Sequence, residues 1–158
     1  MSKEHLSTYL NDHLAGSNFA VEILERLTSE ARSLSSSLTA LKEEIEEDRE
    51  QLRTLMANQH IEESRLRKAG SWIAEQLTEL KLEVEDDAKG RLRRLERLEA
   101  LAIGIDGKIA LWDALDAAAA SNTELEGIDY ERLSQRGRDQ RARVETLRLQ
   151  AAREALAA

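Results

Sequence analysis

The chain of 158 residues has no cysteine, no proline, only seven glycines and only five aromatic residues: Trp72, Trp112, Tyr9, Tyr130 and Phe19. Without cysteine there is no disulfide framework, no zinc knuckle, no iron–sulfur centre and no thiol nucleophile. An average composition would place about eight prolines in this length. Each interior proline costs a helix about 3 kcal/mol, so their absence predicts long uninterrupted helices. Also missing are a run approaching the ~18 apolar residues of a membrane span and a basic-then-apolar leader at Met1-Ser-Lys-Glu-His5. These absences predict a cytoplasmic protein with no membrane partner. No phosphate-cradling glycine loop, serine nucleophile setting or zinc signature occurs, which makes an enzyme the minority expectation.

Charged residues make up 34% of the chain and give a net charge of −8. The excess sits in the first part: residues 1–90 carry 11 Lys and Arg against 19 Asp and Glu, whereas residues 91–158 carry 12 of each. No region is net basic, so a phosphate backbone finds no concentrated positive potential and nucleic acid is not expected as a partner. The last segment holds seven arginines and no lysine: Arg132, Arg136, Arg138, Arg141, Arg143, Arg148 and Arg153. Interleaved with acids at helical spacing, they read as a solvated, salt-bridged helix face.

Apolar periodicity marks five helices near residues 5–31, 34–58, 62–87, 91–120 and 129–156. The first has its seam at Leu6, Leu10, His13, Ser17, Ala20, Leu24, Leu27 and Ala31, with a second row at Leu14, Val21 and Thr28. The second repeats at Leu34, Leu38, Leu41, Ile45, Asp48, Leu52, Leu55 and Gln59, and the serines after Arg32 offer N-caps for it. The third carries Leu66, Ala69, Ile73, Gln76, Leu77, Leu80 and Val84 and ends at Gly90, suited to a left-handed conformation. The fourth turns Leu95, Leu98, Leu101, Ile105, Ile109, Trp112 and Leu115 inward. Gly104 and Gly107 in its middle read as close packing, the alternative being room for something bound. The fifth, capped by Asp129, carries Tyr130, Leu133, Gly137, Gln140, Val144, Leu147 and Ala151. Short connections predict antiparallel neighbours. The expected fold is all-α, one domain over residues 1–158: an antiparallel four-helix bundle, ferritin-like or simple up-down, with a fifth C-terminal helix packed on it.

Polar residues interrupt the apolar stripes at His13, Ser17, Asp48, Gln76, Lys108 and Gln140. Antiparallel hairpins turned near residues 33, 60, 89 and 124 bring His13, Asp48, Lys108 and Gln140 to within about one turn of a common height, ~5.4 Å. A buried Asp must be paired, and His13 or Lys108 supplies the opposite charge. Such a layer either sets the register of the helices or forms a ligand or metal site in the bundle core.

Four long helices directing carboxylates and a histidine inward resemble the ferritin-like superfamily, whose members bind two iron or manganese ions through a Glu from each of two helices and Glu-x-x-His on the other two. The motif is absent: the residues three before His5, His13 and His60 are Ser2, Leu10 and Ala57. The nearest remnants are His13 with Asp12, Glu44, Glu47 or Asp48, Glu75 or Glu79, and Glu96 or Glu99. His13 and Asp48 lie on the seam, and Glu44 and Glu99 flank it. A further departure is the connection near residues 57–63, too short to return along a helix of ~38 Å. The stretches Asn11–Ser17 and Gly104–Trp112 are similar to small bacterial helical proteins of unassigned function.

The resulting expectation is a non-catalytic bundle without a cofactor, acting as a structural or protein-interaction module. Its partner is another protein or a second copy docking on Trp72, Leu82, Leu149 and Leu156. The alternative is a degenerate ferritin-like protein binding iron, manganese or a small ligand in the core. Its metal candidates are His13, Asp48, Glu44 and Glu99, and Lys108 is the candidate for a small anion.

Overall fold

Four long helices make up the described part of the chain, which in this computed structural model covers residues 3–64 and 90–157. They are α1 (Lys3–Glu30), α2 (Ser35–Asn58), α3 (Arg91–Ala119) and α4 (Tyr130–Leu156). All four begin and end within two residues of the predicted bounds. Two short 3₁₀ turns, Arg32–Leu34 and Thr123–Leu125, stand in the connections, and no strand occurs among the described residues. None of the described helices is long and apolar enough to cross a membrane. The predicted third helix, 62–87, lies outside the described residues except for residues 62–64, which are not helical.

Local chemistry explains most of the helix ends. Asp129 caps α4 by accepting a hydrogen bond from the Arg132 N–H at 3.0 Å. Gly90, at φ 63°, takes the left-handed conformation expected of it immediately before α3. The expected serine cap on α2 does not form: the 3₁₀ turn carries the chain into that helix, and no side chain bonds its first amides. At the other end of α2, His60 adopts φ 51°. Its N–H bonds the Ala57 carbonyl, and the N–H of buried Ile61 bonds that of Met56 at 2.9 Å. That is a Schellman-type stop with a hydrophobic residue folded back onto the helix.

Cross-helix pairs give the directions. Asn18 meets Arg49 and Glu25 meets Lys42, so α1 and α2 run antiparallel about the turn near residue 33. Asp106 meets Arg141, Glu99 meets Arg148 and Arg94 meets Glu154, so α3 and α4 run antiparallel about the turn near residue 124. The apolar core falls into two clusters. One joins Leu24 and Leu27 to Leu38 and Leu41, Leu98 and Leu101, and Val144 and Ala151. The other joins Leu6 and Leu10 to Leu52 and Leu55, Trp112 and Leu115, and Tyr130 and Leu133. The start of α1 therefore lies with the ends of α2 and α3, and Ser64 and Gly90 stand at opposite ends of the body.

The C-terminal helix is more than an addition to the other helices. Tyr130, Leu133, Gly137, Gln140, Val144 and Ala151 are all buried, which makes α4 a full wall of the core. At Gly137 a Cβ would stand 2.7 Å from the Ile109 Cγ1, so this glycine permits the close approach of α4 to α3. Gly137→Ala should therefore destabilise the protein: overpacking of 1–3 kcal/mol outweighs a helix-propensity gain of about 1 kcal/mol. In an Ile109→Ala background the same change should be neutral or stabilising. Chemical denaturation of the four proteins checks this, and equal effects in both backgrounds would contradict it.

Candidate functional site

Between the two apolar clusters lies a layer of polar side chains. On α2, Asp48 follows Ile45 and precedes Leu52. On α3, Lys108 lies between Ile105 and Leu111, and on α4, Gln140 lies between Leu133 and Val144. Asp48 and Gln140 are fully enclosed, at 1% and 0% exposure. The Asp48 Oδ2 accepts hydrogen bonds from Lys108 Nζ at 2.5 Å and from Gln140 Nε2 at 3.1 Å. Lys108 Nζ also donates to Gln140 Oε1, which closes a three-membered ring of contacts across three helices.

Arg136 extends the layer. Its Nε stands 3.1 Å from Asp48 Oδ1, an ion pair without hydrogen-bond alignment. Its Nη2 donates to the Glu44 carbonyl and to Glu47, each at 2.7 Å. Glu44 in turn accepts from Arg143 and from Gln140 Nε2. The cations Lys108, Arg136 and Arg143 thus face the anions Asp48, Glu44 and Glu47, so the layer neutralises itself, as buried charge requires. Arg143 beside it holds the Glu44 carboxyl below the usual range. Burial pulls the Lys108 ammonium below its usual range, against the attraction of Asp48.

His13 does not join this ring. It is half-buried and set edge-on against Tyr9, with ring centroids 4.6 Å apart. It nevertheless shares a cleft with the layer. The cleft, of about 280 Å³, opens between α1, α2 and α3 and is lined by His13, Gly16, Ser17, Phe19, Asp48, Arg49, Ile103, Gly104, Gly107, Lys108 and Trp112, among others. Near the polar layer the cleft is bordered by Phe19, level with Asp48, and by the small residues Gly16 and Ser17 on α1 and Gly104 and Gly107 on α3. A Cβ on either of those α3 glycines would meet nothing within 4 Å. The expectation of close packing at Gly104 and Gly107 is thereby corrected: both border open space. Trp112, 1% exposed, closes one end of the cleft, and its indole N–H has no hydrogen-bond partner among the described residues.

The metal candidates His13, Asp48, Glu44 and Glu99 are not assembled into a set. Among the described residues no group of three or more metal-ligating side chains comes together. Each carboxylate is instead held by a cation: Asp48 by Lys108, Glu44 by Arg143 and Glu99 by Arg148. Gln76, the docking candidates Trp72 and Leu82, and the remnants Glu75 and Glu79 lie outside the described residues.

Three polar participants were not expected. Arg136 was read as part of a solvated face, yet its long side chain reaches back to Asp48. Asn11 is buried and ties the chain beyond α2 to α1, donating to the Glu62 carbonyl at 3.2 Å and accepting from the Ser64 N–H at 2.7 Å. Ser134 is buried and donates to Asp113. Asn11 and Ser134 lie one position beside an apolar seam residue, Leu10 and Leu133, which is the only mark the sequence gives of them. No protein family, curated protein or solved structure matches the chain.

Burial lowers the His13 pKa from its ordinary value, with Asp12 partly opposing. The unfolded chain therefore binds this proton more readily than the folded one. The contribution of His13 to stability is complete above the ordinary pKa of about 6.5 and is lost as pH falls below it. Melting temperatures between pH 7.5 and 5.5 should fall more steeply for the native protein than for His13→Gln. Parallel curves would contradict the assignment.

Proposed function

We propose that this protein is a non-catalytic helical bundle that holds a small molecule in the cleft between α1, α2 and α3. The observation that carries the reading is the cleft itself: it adjoins a charged layer, it is bordered by two mid-helix glycines with nothing against them, and it contains a buried indole N–H without an acceptor. Each mid-helix glycine costs about 1 kcal/mol relative to alanine, and here no packing contact offsets that cost. Binding pockets combine this kind of apolar wall with a few convergent polar groups.

The described helices run α1 against α2 and α3 against α4, with α2 and α3 parallel, directions that fit the ferritin-like and the simple up-down alternatives alike. The interaction-module reading rests, among the described residues, on Leu149 and Leu156, 41% and 69% exposed. Singly exposed leucines are ordinary on a protein surface, so a protein partner or second copy is the weaker reading. Iron or manganese in the core is weaker still, because the candidate carboxylates are held by cations.

A cleft-filling variant separates binding from stability. Gly107→Leu should raise the folding stability by up to about 1 kcal/mol through helix propensity and abolish saturable binding of the neutral fluorescent dye N-phenyl-1-naphthylamine to the full chain. Unchanged dye binding by this variant, or no saturable binding by the native protein, would overturn the reading.

A further inference from the structure

We propose that the ligand of the cleft is an amphipathic organic anion, an apolar body ending in a carboxylate, with the carboxylate seated at the Lys108–Trp112 end. The inference rests on the cleft being a ligand site and goes further by naming the ligand's class and orientation.

Unused hydrogen-bond donors carry it. The Trp112 Nε1 is buried without a partner among the described residues. Arg49 Nε, on the same lining, is buried without a hydrogen-bond partner as well, while its Nη1 donates to Asn18. An ammonium has three N–H donors, and among the described residues Lys108 Nζ engages only Asp48 and Gln140. Lys108 and Trp112 lie four residues apart on α3, one above the other on a single helix face. Asp48, the acidic side chain at this end, is already engaged through Oδ2 by Lys108 and Gln140 and faces Arg136 through Oδ1. The surplus at this end of the cleft is therefore of donors, and an acceptor-rich head group relieves it.

The two glutamates of the lining lie at the other end. Glu96 and Glu99 precede Lys108 on α3 by twelve and nine residues, ~18 and ~13 Å along the helix axis. Ala100, Ile103 and the open space over Gly104 lie between. An elongated ligand with its anion at Lys108 thus keeps clear of Glu96 and Glu99 and lays its apolar body on an apolar wall.

The test is displacement of N-phenyl-1-naphthylamine from the full chain by decanoate, 1-decanol and decylamine, which share one body and differ in head group. Decanoate should displace the dye at a concentration about tenfold or more below that of decanol. Arg49→Met and Trp112→Phe, which leave the Asp48–Lys108 pair intact, should weaken decanoate and leave decanol nearly unchanged. If decanol or decylamine matches decanoate, or if both variants weaken all three alike, the anion assignment is overturned and the ligand cleft stands. If the dye binds and none of the three displaces it, the amphipathic class is overturned. If the dye itself does not bind, the proposed function falls and this inference with it.

Discussion

The carboxylate of Asp48 is the point on which the rest of the structure turns. It is enclosed at the middle of α2, and the groups that compensate it come from α3 and α4: Lys108, Gln140 and Arg136. A buried charge without partners costs several kcal/mol, so only a register that brings these side chains to one height is tolerable. The layer also accounts for the division of the apolar core, since the two clusters of leucines stop on either side of it. Apolar seams alone specify that helices pack. The ring of polar contacts specifies which residues stand opposite one another, the best-attested role of single polar groups in helix seams.

The cleft follows from the same layer. Beside it α1 and α3 present the small residues Gly16, Ser17, Gly104 and Gly107 next to Phe19, and the space over the two α3 glycines stays open. Charged groups therefore border a cavity with an apolar wall, and the donors left over at its Trp112 end give it a chemical direction. The remainder of α4 behaves differently: Arg138, Arg141 and Arg148 pair with Asp113, Asp106 and Glu99 along the flank of α3, and Arg141 and Arg148 also with Glu145 on α4 itself. Glu145 is pulled down to about 2 by hydrogen bonds from Arg148 and Arg141.

Much of this could be read in the amino-acid order because short turns act as mirrors. A turn near residue 124 sets Lys108 opposite Gln140 once both neighbouring helices run without a break, and the absence of proline assures that they do. Asp48, Gln140 and Lys108 stood out as polar residues in otherwise apolar rows, and they meet. His13 satisfied the same pattern yet remains on the cleft rim, because a half-buried ring beside Tyr9 has no geometric need to reach the acid. Nothing in the spacing marks Arg136, since its position on α4 is that of a surface residue and its reach to Asp48 depends on the length of its side chain. The cleft was hidden for another reason. It arises from small residues on α1 and α3, helices far apart in sequence, and their facing one another is a property of the folded body.

The central claim, that Asp48 and Lys108 act as one unit holding three helices in register, is tested most directly by a double-mutant cycle. Asp48→Leu, Lys108→Met and the combined variant would be unfolded by denaturant alongside the native chain. The account predicts that each single change costs ~3 to 5 kcal/mol, since it strands a buried charge, and that the double change costs clearly less than the two together. Simple additivity of the two losses would contradict it.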